Sequence, residues 1–351
     1  MKLREVRIQN FRNFGPTLRT VSFVDELTEQ VRPLSILVGS NGSGKTTILE
    51  TIEGLLRFAI DKSSAGAFGD NLREEGFADM RLEFGEEAPG DLRGGLSVAL
   101  GRKDRTTVDY KDADYDICAL VQRGAPGNPW LRDTHRLELE QWLSAMRLGR
   151  EPLAGGLMHF PHRRWIEHEQ KGAIEEPARG TSWIFRFDPS GAWEGSLSQF
   201  WVWQNYRDLE QGREGRPNLA PFVEAIEAVL GQGRRVVIRD ARVHILLPGG
   251  AMCGLHQLPS GEQQVLTLFG EIIRRLRPGG ILMIDEVEIS LHPALQRVVL
   301  AHLRKLAQKF DLQVILTTHS MDIIAAVAPA EIINLDDMVL RERARVQEPQ
   351  A

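Results

Sequence analysis

The segment Gly39-Ser40-Asn41-Gly42-Ser43-Gly44-Lys45-Thr46 limits what this chain can fold into more than any other stretch. It has the spacing G-x-x-x-x-G-K-T. The apolar run 34–38 ahead of it reads as a buried strand. Behind it, Ile48, Leu49, Ile52, Leu55 and Leu56 recur at helical spacing. Strand, glycine loop and helix in that order leave free backbone N–H groups at a helix N-terminus, a natural seat for phosphate. The glycines let the backbone approach closely. Lys45 is the candidate contact for β- and γ-phosphates, the Thr46 hydroxyl for Mg²⁺ and Thr47 for an α-phosphate.

Three further motifs carry candidate chemistry. Ile281-Leu282-Met283-Ile284 reads as a buried strand whose end presents Asp285 and Glu286. Asp285 suits a cation held at one remove through water, and Glu286 suits a general base acting on an attacking water. By itself, such a pair is equally an ordinary strand ending in solvated acids. Leu258-Pro259-Ser260-Gly261-Glu262-Gln263-Gln264 reads as a helix start, with Ser260 and Gln263 spaced as a capping box. It is either a well-capped helix or an anion-facing N-terminus. Thr317-Thr318-His319-Ser320 follows an apolar strand. His319 there can sense a γ-phosphate or serve structure alone.

Composition narrows the rest. At 351 residues the chain has room for two domains, or for one with an insertion. Its net charge of −5 excludes a uniformly basic nucleic-acid coat, so any DNA contact needs a local patch. Cys118 and Cys253 lie far apart and offer no metal-ligand spacing. The charged N-terminus and the lack of a run of about 20 apolar residues lead us to expect a cytoplasmic protein with no membrane partner. All seven tryptophans lie between Trp130 and Trp203. They read as the core of a small insert or as an aromatic docking surface.

The four motifs, in this order, resemble the ABC-type ATPases: Walker A, signature, Walker B and switch histidine. Within that class, LREVRIQNFRNF, LPSGEQQ, IDEVEISLHP and TTHS resemble the RecF, SMC and OLD-like group. The likeness covers about residues 1–58 and 219–335. It implies an α/β fold, the ABC-ATPase head: a mixed or parallel sheet core bearing the loop, plus an antiparallel β lobe. We expect residues 1–125 and 219–351 to form the two parts of that head. Residues 126–218 would be an inserted, tryptophan-rich and mostly helical subdomain. Residues 60–77 and 207–218 read as loops.

The resemblance also implies ATP and Mg²⁺ as cofactors, with hydrolysis of ATP. Two copies would sandwich two nucleotides, Ser260, Gly261 and Glu262 of one facing the nucleotide of the other. Arg12 would lie near the nucleotide. Ser290, Leu291 and His292 would form the D-loop between subunits. No Q-loop glutamine is assignable. His162 or Arg163 stands near its expected place and is a candidate for phosphate or partner sensing, a solvated basic turn being the alternative. With 32 residues after His319, we expect a separate effector protein rather than a fused nuclease. The readings are a DNA-linked switch in a bacterial defence system, a RecF-like repair ATPase, or a nucleotide-gated scaffold; a transporter subunit fits the motifs poorly. Candidate contacts for double-stranded DNA are His162, Arg163, Arg164, Arg213, Arg216, Arg234, Arg235, Arg239 and Arg242.

Overall fold

The fold is taken from a computed structural model. It describes residues 1–86, 88–102, 115–121, 130–164, 166, 171–177, 182–190, 192–215, 217–231 and 233–337. The chain opens with strands β1 (Lys2–Phe11), β2 (Arg19–Ser22) and β3 (Leu34–Val38), then helices α1 (Lys45–Ile60) and α2 (Ser64–Gly69). Next come β4 (Leu72–Glu83), β5 (Leu96–Arg102), β6 (Ile117–Val121), β7 (Trp130–Asp133) and α3 (Arg136–Arg147). The middle holds β8 (Leu157–Phe160), β9 (Ile184–Arg186), α4 (Leu197–Glu210) and α5 (Ala220–Leu230). A small hairpin sheet, β10 (Arg235–Arg239), β11 (Arg242–Leu246) and β12 (Met252–Gly254), precedes α6 (Ser260–Arg275). The last elements are β13 (Ile281–Ile284), α7 (Pro293–Phe310), β14 (Gln313–Thr317), α8 (Met321–Ala325) and β15 (Ile332–Asn334).

The central sheet runs β15-β3-β14-β13-β8-β9, with every neighbouring pair parallel. Both its faces are covered, which is why LSILV, ILMI and QVILT are buried throughout and mostly apolar rather than alternating. Side chains still alternate by face: Ile281 and Met283 enter one core, Leu282 and Ile284 the other. The first core holds α1, sandwiched between this sheet and a second one. The second core holds apolar residues of α4, α5, α6 and α7.

The second sheet runs β2-β1-β4-β5-β6-β7. It is antiparallel, as expected of the lobe, except where β5 and β6 pair in parallel. Residues 60–77 are more than loop: α2 and the start of β4 lie there, because Phe68 and Leu72 find places in the first core. Likewise α4 runs on to Glu210, into the stretch expected to be loop.

Residues 126–218 do not form a body apart. β7 joins the second sheet, and β8 and β9 are strands of the central one. Trp142 and Trp183 pack around Phe84 in the first core, with ring centroids 5.7 and 6.3 Å from it. Trp201 is fully buried in the second core. Thus these tryptophans fill cores shared with the rest of the chain. Trp203 stacks on Tyr206 at 5.5 Å on α4, and Trp165 lies outside the described residues. Among the described residues no helix is long and apolar enough to cross a membrane.

Candidate functional site at the ends of the parallel strands

The glycine loop leaves the C-terminal end of β3 and enters α1, at the edge where parallel α/β sheets bind ligands. Gly44 caps the helix at φ +100°, and a Cβ there would meet the Phe14 ring at 2.4 Å. Only glycine meets both demands. The Lys45 Nζ folds back over its own loop, donating to the carbonyls of Gly39 at 2.9 Å and Ser40 at 3.0 Å. Burial pushes its pKa below the usual lysine value, against the pull of Asp336, Glu286 and Asp285. An ammonium held among these carbonyls is placed to meet an anion lying in the loop.

β13 and β14 lie side by side, so their ends converge on the same place. The Thr46 hydroxyl donates to Asp285 Oδ2 at 2.9 Å, and the Thr317 hydroxyl donates to Asp285 Oδ1 at 2.6 Å. Asp285 is buried and so fixed by two hydroxyls. The Glu286 N–H donates to Thr317 Oγ1 at 2.7 Å. Glu286 itself stands at φ +46°, a left-handed setting that costs a non-glycine residue about 1–2 kcal/mol. Glu288 holds the loop after β14, accepting from the Thr318 hydroxyl at 2.8 Å and the His319 N–H at 2.6 Å. The His319 side chain is exposed.

The residues present suit Mg²⁺. Among the described residues no three His, Cys, Asp or Glu side chains gather as a protein-only metal cage. A cation that keeps its waters and takes phosphate oxygens needs only a hydroxyl and a nearby carboxylate. Thr46 beside Asp285 is that donor set. His162, exposed, places Nδ1 3.8 Å from Asp285 Oδ2, on the open side of the site.

Other expected residues have other employment. Arg12 pairs with Glu50 on α1 and donates to Asn71 Oδ1 at 3.1 Å. The expected capping box is not formed: α6 begins at Ser260 without a side-chain cap. The Gln263 amide turns instead to the carbonyls of His256 at 2.9 Å and Leu258 at 3.0 Å, and takes the Ile166 N–H at 3.2 Å. Those buried partners are worth more to it than an exposed cap. Glu262 is engaged by Arg234 in a two-pronged pair, 2.6 and 2.9 Å. Gly261 lies against the turn at Ser290: a Cβ there would stand 2.5 Å from the Ser290 carbonyl, with Ser290 at φ +57°. Leu291 is buried, and the His292 ring accepts from the Ala294 N–H to cap α7.

Of the basic residues considered for DNA, Arg164 is excluded by burial at 1% exposure. Its guanidinium donates to the carbonyls of Pro161, Asp285 and Glu286, and burial pushes its pKa down to about 10 against the pull of Asp285 and Glu288. Arg163, Arg213, Arg235 and Arg239 are exposed, Arg242 is half-buried, and Arg216 lies outside the described residues.

One residue here went unread in the sequence. The Asp336 carboxylate accepts from the Ser40 N–H at 2.7 Å and the Ser40 hydroxyl at 2.9 Å, tethering the glycine loop to the end of β15. A signal was available, since IINLDD repeats the pattern of ILMIDE: a short apolar strand that ends in two acids.

A family profile described as "AAA domain, putative AbiEii toxin, Type IV TA system" matches residues 34–325. "Retron Vc95 probable ATPase" of Vibrio cholerae serotype O1 biovar El Tor is 21% identical, covering 97% of this chain and 74% of that protein. "Retron Ec83 probable ATPase" of Escherichia coli is 37% identical over 75 residues, 18% of this chain and 14% of that protein. Among solved structures, an Smc head bound to the C-winged helix domain of ScpA is similar with a TM-score of 0.54. That likeness covers 95% of this chain and 94% of the other at 13% identity, and shows the fold alone.

Proposed function

The chain belongs to the AAA family whose profile spans residues 34–325, and from that premise we propose that it binds and hydrolyses ATP with Mg²⁺. The observation that carries this reading is the hydrogen bond from Thr46 to Asp285, 239 residues apart, which brings the glycine loop and the acid pair to one point. Lys45 and the loop N–H groups bind the phosphates. Thr46, with Asp285 beside it, would hold Mg²⁺, and the ion would supply positive charge against the phosphates. Glu286 takes a proton from the attacking water, and His319 contacts the γ-phosphate. Because catalysis of phosphoryl transfer is mainly positioning and electrostatics, rigid placement of these few groups is sufficient chemistry.

The retron ATPase names support a role in bacterial defence, in which ATP-dependent dimerisation gates a DNA-linked activity of a separate effector protein. Ser260, Gly261 and Glu262 of one copy would face the nucleotide of the other, and Arg12 would release Glu50 to approach its own.

Two measurements test this. Binding of a fluorescent ATP analogue is expected to survive Glu286→Gln and to be lost in Lys45→Ala, and equal affinity in both variants would refute the loop as the site. Linear double-stranded DNA is expected to raise the ATPase rate, with the effect falling steeply as salt rises because phosphate contacts release counterions. A rate indifferent to DNA would turn the role toward gating by the protein partner alone.

A further inference from the structure

Glu286 sits in a backbone conformation that must be held in place, and it is held from both sides. Thr317 Oγ1 takes its N–H at 2.7 Å. On the other side its carbonyl receives Arg164 Nη2 at 3.0 Å. Arg164 also donates to the Asp285 carbonyl through Nη1, and the same nitrogen reaches the Pro161 carbonyl at 2.8 Å. The remaining reach of Nη2 goes to Gln264 Oε1 on α6, at 3.3 Å. Gln264 is itself buried, in the second turn of that helix. One rigid, planar guanidinium therefore joins three elements: the turn after β8, the end of β13 and the start of α6.

We propose that Arg164 is a positioning residue that holds the left-handed backbone of Glu286 and ties it to helix α6 through Gln264. The placement of the carboxylate then follows the position of α6, so whatever moves or clamps the Ser260 end of that helix adjusts hydrolysis. The effect on turnover rests on the ATPase reading, while the mechanical link does not. A buried cation is kept here because its donors satisfy carbonyls at a strand end, where β13 has run out of ladder partners.

The decisive variant is Gln264→Leu, which keeps volume and Arg164 and removes only the link to α6. Three readouts are needed: amide exchange of residues 285–291 without nucleotide, affinity for a fluorescent ATP analogue, and steady-state turnover. The expected result is exchange faster by about threefold or more in that segment. Turnover should fall about tenfold to a hundredfold, as for a misplaced catalytic group. Affinity and KM for ATP should stay within about twofold. Gln264→Glu, whose carboxylate still accepts from Arg164, should restore both exchange and turnover. Should the leucine variant fold poorly, Arg164→Lys keeps the charge but loses the fork, and the same segment should loosen. Wild-type exchange and turnover in Gln264→Leu would overturn the proposal, as would an equal loss of affinity and turnover. If the unaltered protein hydrolyses no ATP, the ATPase reading falls and the exchange measurement alone decides the link.

Discussion

At the scale of residues, the site depends on hydroxyls as much as on charges. Thr317 both donates to Asp285 and accepts from the Glu286 N–H, so one side chain fixes both acids. Thr317→Val keeps the shape but leaves a buried carboxylate oxygen and an N–H short of a partner. We expect a loss of about 1–3 kcal/mol in stability, read by urea unfolding, whereas Thr317→Ser should lose less. A valine variant as stable as the parent would show that the network is not holding the strand ends. The acid pair itself was legible in the sequence, because ILMI stops where Asp285 begins. Asp336 stands at the end of an apolar run of the same kind, but its partner Ser40 lies 296 positions away; Arg164 has no such mark, its partner Asp285 lying 121 positions away.

Between elements, α1 is fastened to the central sheet by a buried ionic group. Glu53, on α1, receives Arg186 of β9 at 2.7 Å and contacts His159 of β8 at 2.5 Å. Burial alone would raise its carboxyl, but the hydrogen bond and charge of His159, with the charge of Arg186, outweigh it and bring the pKa to about 2. The unfolded chain, at the ordinary value of 4.5, takes up the proton more readily. The contribution of Glu53 is therefore complete above about pH 4.5 and is lost as pH falls toward about 2. Glu53→Gln should flatten that acid limb of a stability–pH profile, and parallel acid limbs would rule the pair out as its source. The elements flanking the motifs were readable, α1, α6, α7, β13 and β14 among them, because long periodic helices and pure apolar strands leave strong signals. β8, β9 and β15 were not: they are three or four residues long, and what makes them strands is a place in the sheet, β8 beside β13, β9 beside β8 and β15 beside β3. The same cause hid the fate of the tryptophan-rich stretch, whose strands complete a sheet begun more than a hundred residues earlier.

For the whole molecule, the parallel sheet gathers the glycine loop, the acid pair and the Thr317–His319 turn at one edge, while α6 and the turn at Ser290 pack together through Gly261. That arrangement leaves the Ser260 end of α6 exposed, where the proposed dimer would close. With Mg²⁺ and ATP, Glu286→Gln is expected to double in mass by light scattering, since nucleotide would be bound and not consumed. A variant that stays monomeric would assign the closing surface to a partner protein. The most direct test of the account is phosphate release from Mg²⁺-ATP by the full chain beside Glu286→Gln. Removing a general base costs about a hundredfold to ten-thousandfold, so we predict steady release by the parent and a rate in the variant lower by at least that first factor. Equal release by the two proteins would contradict the assignment of Glu286, and with it the reading of this site as one that hydrolyses ATP.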